Sequence, residues 1–240
     1  MAEGGPSAPV SEVRLRDDLL ILLTFTSGIV DVVSFLGLGQ IFTANMTGNT
    51  VFLAIAVGAR NLPSGARSLD ALVLFSSGAI VAGRIIGGVK PKVLWPRTVT
   101  WVFTMELIFF VAFNIGWVVV VGQPSGTSLY ILIGLSSIAM GLQSAGARHL
   151  AAPGLTTTVI TTALTGLMAE FAALGISGPS LRRWVLSLVA LFSGAAVGGA
   201  IFVTDPVLPP FLTTATVAIV CAVAFWKFRP GAMAGTPTSG

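Results

Sequence analysis

Ile41-Phe42-Thr43-Ala44-Asn45-Met46-Thr47-Gly48-Asn49-Thr50 separates two apolar runs that would otherwise read as one. Six of these ten residues are Thr, Asn or Gly, a composition that interrupts a regular helix and supplies oxygens to cap the next one. The surroundings decide what the interruption means. With 54% apolar residues, 9% charged residues and a mean hydropathy of +0.93, the chain lies far from the roughly 25% charged of ordinary soluble domains. It reads as an all-α integral membrane protein. Irregular backbone at membrane depth is tolerated only where it is buried in protein or lines a wet cavity, so the quoted stretch is expected to face inward.

Working outward, apolar segments run over about 19–38, 46–59, 71–89, 99–121, 129–147, 155–174, 184–203 and 211–228. The second is too short to span as a helix, because at ~1.5 Å per residue it covers about two-thirds of a ~30 Å hydrocarbon core. Composition marks 1–16 and 230–240, rich in Gly, Pro, Ser and Ala, as disordered tails around one transmembrane domain at 17–229. The first segment is longer than a signal-peptide core and no small-residue cleavage site follows it, so it is expected to be a retained helix. The net charge of +4 does not imply nucleic acid, because the 13 Lys and Arg cluster at the ends of apolar runs, as topology determinants do. Cys221 is the one cysteine, which excludes a disulfide framework and a cysteine-based metal site within one chain.

The two halves, 17–121 and 127–229, share an order of features. Phe75-Ser76-Ser77-Gly78-Ala79 with Gly83 matches Leu191-Phe192-Ser193-Gly194-Ala195 with Gly199; Gly28-Ile29-Val30-Asp31 aligns with Gly141-Leu142-Gln143-Ser144; Thr43 to Thr47 aligns with Thr157 to Thr161. Charge counting tests the topology. If all eight segments cross from a cytoplasmic N-terminus, eight basic residues fall inside and five outside; if the second and sixth dip in and return, eleven fall inside and only Arg60 and Arg67 outside. The expectation is a polytopic bundle of six to eight membrane segments, built from two inverted repeats with broken, re-entrant helices, both termini cytoplasmic. The weak point is the sixth segment, which at about twenty residues is long enough to span.

Asp31 is the most informative single residue, since an unpaired carboxylate inside a span costs at least a few kcal/mol and such groups usually face a cavity or a partner. It is expected either to serve a solute or coupling ion, or to pair with Arg84 or the polar break. Thr43, Asn45, Thr47, Gly48 and Asn49 would line the same site, with Asn45 or Thr47 as a helix cap and Gly48 allowing close backbone approach to a ligand or a neighbouring helix. In the second half the corresponding candidates are Gln143, Ser144, Thr158, Thr161 and Thr162. Glu106 and Glu170 are weaker candidates, because the depth of each depends on the topology. No nucleophile-base set, metal motif or nucleotide loop appears, so neither enzyme activity nor a cofactor is expected.

Gly28-x-x-Asp31 followed by Phe42-Thr43-Ala44-Asn45-Met46-Thr47-Gly48-Asn49-Thr50 resembles the signature of the YoaK family, bacterial multi-pass membrane proteins carrying a domain of unknown function. The likeness extends over nearly the whole chain between the tails. Thr161-Thr162-Ala163 departs from the pattern, standing where a Thr-Gly pair would match the first half. The resemblance implies a bacterial inner-membrane protein and supplies no substrate. The functional expectation is a small secondary transporter for a small polar solute, anions included, with the two breaks meeting near the bilayer midplane. The alternative is a non-transporting scaffold or stress-response protein. The expected partners are the lipid bilayer and a small solute, with small-residue faces such as 194–199 suited to packing within a chain or between copies of it.

Overall fold

The computed structural model describes residues 9–87, 94–150, 160–172 and 179–228. Within them are α1 (Val10–Gly37), α2 (Met46–Gly58), α3 (Leu62–Ile86), α4 (Arg97–Val119), α5 (Gly126–Leu150), α6 (Ile160–Ala172), α7 (Pro179–Thr204) and α8 (Pro209–Lys227), with no strand among the described residues. Six of these helices are long and apolar enough to cross a bilayer. The other two, α2 and α6, have 13 residues each. That length covers about 20 Å, short of a ~30 Å core. The segment at 155–174, read as long enough to span, thus holds a described helix no longer than α2.

Helix α1 starts earlier than composition suggested. Residues 10–16, read as tail, are helical because the charged turns that follow them are anchored. Asp17 is buried between Arg16 at 2.7 Å and Arg183 at 2.8 Å, and Asp18 meets Arg182 at 3.1 Å. Arg182 and Arg183 therefore do more than mark a membrane face: they tie the start of α7 to the start of α1. The tail at 230–240 lies outside the described residues.

Residue contacts give the helix directions. Running in the same sense, α1 and α7 bring Asp17 to Arg183, Phe25 to Gly194, Ile29 to Gly198 and Gly37 to Phe202. The pair α3 and α5 is likewise parallel, with Leu74 at Gly134, Gly78 at Ile138 and Ala79 at Gly141. In contrast α1 opposes α5: Gln143 bonds Ser27, whereas Ser136, a turn or two earlier, shares Thr43 with Ser34. Also opposed are α4 and α5, through Phe103 at Gly146 and Leu132 at Gly116. Finally α4 opposes α8, for Asn114 donates to Thr214 at 2.7 Å and Trp117 to the Pro206 carbonyl at 2.9 Å, while Trp95 stacks on Phe228 at the far end. Hence α1, α4 and α7 point one way, and α3, α5 and α8 the other.

The two parallel pairs are built alike. A Cβ on Gly28 would overlap the Leu191 carbonyl oxygen and crowd Ala195 N; a Cβ on Gly141 would overlap the Phe75 carbonyl oxygen and crowd Ala79 N. From the other side, Gly194 rests on the Phe25 carbonyl and Gly78 on the Ile138 carbonyl. Only glycine lets backbones meet this closely, and in lipid that packing replaces a hydrophobic driving force. Corresponding residues make both crossings, so the first helix of each half packs on the third helix of the other half. The face at 194–199 is therefore covered within the chain by α1. The buried core lies among α1, α4, α5 and α8, around Leu20, Leu23, Phe103, Phe110, Met140 and Val217. The outer faces of α2, α3 and α7 present exposed apolar side chains such as Ile55, Ile80 and Phe192, as lipid contact requires.

Candidate functional site: the α1–α2 break and the polar interior

After α1 the chain turns back through Gly39 and Gln40, both with positive φ (80° and 61°), and descends beside the helix it has just left. Gly39 is needed there twice over, because a Cβ would also press on the Arg67 side chain. The ring of Phe42 then stacks between Phe35 and Phe52, with centroids 5.4 and 5.8 Å away. Three consecutive amides follow, each met by a side chain. Phe42 N–H donates to Asn49 Oδ1 at 2.9 Å, Thr43 N–H to Ser34 Oγ at 3.3 Å and Ala44 N–H to Asp31 Oδ1 at 3.1 Å. Asn49, fully buried, also donates to the Phe42 carbonyl, so one amide side chain closes both polar groups of one residue. Thr43 Oγ1 lies 2.8 Å from Ser136 Oγ on α5, and Asn45 caps α2 by accepting from Gly48 N–H at 3.3 Å. This is how irregular backbone survives at membrane depth.

The break brings Asp31, Thr43, Asn45, Gly48 and Asn49 together, with roles that differ in part from those expected. Gly48 is small because the Phe42 ring covers it, at 2.8 Å from where a Cβ would lie, and its closest approach is to that ring. Asp31 meets the break rather than Arg84, which is exposed on α3. Thr47 is exposed on α2. In the second half, Gln143 donates to Ser27 Oγ at 2.9 Å and to the Leu23 carbonyl at 3.3 Å, one turn along α1 from Asp31. The Ser144 hydroxyl has no hydrogen-bond partner among the described residues. Thr161 is exposed on α6, which packs against α7. Thr158 and the side chain of Thr162 lie outside the described residues. A cavity of about 260 Å³ adjoins the break on the side where α1 ends, lined by Phe35, Gln40, Phe52, Asn61, Arg67 and Ser68.

Residues 19–226 match the family model described as Protein of unknown function (DUF1275). The chain belongs to this family. Over 156 residues it is 39% identical to a Bacillus subtilis (strain 168) protein described as UPF0700 transmembrane protein YoaK, covering 65% of this chain and 67% of that protein. The resemblance seen at 28–31 and 42–50 is thus a family relationship, and this DUF1275 member is a multi-pass membrane protein. No solved structure matches it.

The DUF1275 interior holds a second polar set, of which sequence reading had Gln143 as a candidate and Glu106 only as a weaker one. Glu106 on α4 is fully buried, and neither of its carboxyl oxygens has a hydrogen-bond partner among the described residues. Ser137 Oγ, Gln143 Oε1, Asn114 Oδ1 and Thr213 Oγ1 are likewise buried and unpartnered. The available signal was positional: Glu106 is the tenth residue of a 23-residue helix, close to the middle of a span once Arg97 fixes its start. Among the described residues, no group of three or more His, Cys, Asp or Glu could hold a metal ion.

Proposed function

We propose that this protein is a small secondary transporter for a small polar solute, built from two inverted repeats with α2 and α6 as re-entrant elements and both termini cytoplasmic. One observation carries the reading: corresponding helices run in opposite directions, α1 against α5 and α4 against α8, while α1–α7 and α5–α3 form matching glycine crossings. Opposed halves around a central site, with short broken helices, are how alternating-access carriers are commonly constructed. The cavity beside the break, with Arg67 at its wall, gives a solute an entrance, and its cation favours anions. Eleven basic residues against two supports placing the termini inside.

The test is uptake by proteoliposomes offered a panel of small carboxylates, phosphate and neutral polar solutes, with Arg67→Ala alongside. Flux that depends on the protein and is lost with Arg67 supports the reading; no flux across the panel counts against it. Topology is checked separately in a Cys221→Ser background, where Ser64→Cys should label from outside and Ser180→Cys from inside. A second reading, a non-transporting scaffold, draws on the way the break uses its own polar groups to close itself.

A further inference from the structure

The most unusual group in the molecule is one the break does not contain. Glu106 sits mid-span on α4 with both oxygens buried and unpartnered among the described residues, one turn from Phe103 and Phe110, which belong to the apolar core. A carboxylate left so, with no counter-ion and no donor, costs several kcal/mol, whereas the neutral acid costs far less. A structural role would call for a partner, as Asp31 has in Ala44 N–H and Asp17 in two arginines. An acid placed there for packing alone is a poor account, since Leu fills the space without burying a polar group.

A way in exists. An apolar groove of about 620 Å³ runs between α4 and α8, lined by Thr100, Trp101, Thr104 and Cys221. Cys221, part of the wall of this groove, lies close enough to Glu106 for the two to interact electrostatically. The titratable or charged groups on the elements packed against α4 are Tyr130, Arg148 and His149 on α5, Cys221 and Lys227 on α8, and Arg67, Asp70 and Arg84 on α3; of these only Cys221 interacts electrostatically with the carboxyl, and none is a counter-ion to it.

We propose that Glu106 is a proton-exchanging carboxyl: it holds a proton in this closed arrangement and releases it to water when α4 and α8 part along their groove. The step breaks the carboxyl O–H bond, leaves the electron pair on the carboxylate and forms hydronium; reclosure reverses it. What the proton does for a solute rests on the transporter reading, but the exchange itself does not.

The experiment therefore uses the full-length protein without solute. Dicyclohexylcarbodiimide, an apolar reagent that adds intact to protonated carboxyls within membranes, is applied in lipid vesicles and the adduct located by mass spectrometry. Glu106 should carry it, with the label lost in Glu106→Gln, retained in Glu106→Asp and Asp31→Asn, and slowed several-fold by Ala222→Trp, which fills the groove. In parallel, infrared spectra should show a carboxylic-acid band, absent from Glu106→Gln, that disappears and returns as pH is cycled between about 5 and 10, a window that brackets the values of about 8–9 documented for buried glutamates. A band that never titrates while the protein stays folded, or label on Asp31 with none on Glu106, overturns the proposal. If Glu106→Gln fails to fold, wild type and Glu106→Asp still decide it. A titrating Glu106 in a protein that moves no solute would sink the transporter reading and leave this one standing.

Discussion

The break between α1 and α2 and the interior around α4 are both polar and both buried, yet their polar groups meet opposite fates. In the break, the amides of residues 42, 43 and 44 each find a side-chain acceptor, and Asn49 answers both the N–H and the C=O of Phe42. On α4 and its neighbours, a carboxyl, two amide oxygens and several hydroxyls find none among the described residues. A satisfied polar cluster rigidifies; an unsatisfied one waits for something to bind, or for a proton to come and go. The most conspicuous motif in the chain is thus the part most occupied with its own architecture.

Substitutions can break or sharpen this contrast. The largest effect should come from Asn49→Ala, which strands the N–H and C=O of Phe42 in a buried place and should cost about 2–4 kcal/mol. It reads out as the steepest fall in thermal midpoint in detergent, and a midpoint like wild type would mean that the break is held by something else. Next, Gly48→Ala drives a methyl into the Phe42 ring and should cost about 1–3 kcal/mol. Pairing it with Phe42→Leu should recover part of that loss, as coupling in a double-mutant cycle. Smaller still, Asp31→Ala removes the acceptor for Ala44 N–H, at about 1–2 kcal/mol, while Asp31→Asn keeps an oxygen there and should lose less. Equal losses for Ala and Asn would show that charge, not hydrogen bonding, is what Asp31 supplies. Thr47→Ala, on an exposed position, should leave the midpoint unchanged.

Much of the fold could be read in advance because lipid makes composition speak plainly: the six spans and the shortness of α2 are there in the apolar run lengths, which also left 155–174 long enough to be a seventh. Gly28 and Gly78 were visible as counterparts of Gly141 and Gly194. Their use was not, because a pattern along the chain says which segments correspond and not that each packs on the other half. Local chemistry narrowed the cap of α2 to Asn45 or Thr47 and the partner of Asp31 to Arg84, the break or a solute, and the fold chose Asn45 and the break. The bond from Asn49 to Phe42 was hidden, since it depends on a turn at Gly39 and Gln40 that brings residues seven apart face to face. Glu106 was visible only as a weaker candidate for a different reason: whether a carboxyl in a span is paired depends on what α5 and α8 bring to it, and no spacing within α4 records that.

The glycine crossings have a consequence for how the protein is made. Asp17 and Arg183, which clamp the first of them, are 166 positions apart, so α1 leaves the ribosome long before α7 exists. At about 5–20 residues per second, that interval is roughly 8 to 33 s. During it, the open backbone around Gly28 has nothing of its own chain to rest on, and α3 waits in the same way for α5, though less long. The bundle can close only near the end of synthesis, which leaves the newborn first half dependent on lipid, or on the insertion machinery, to keep that exposed stripe from finding the wrong helix.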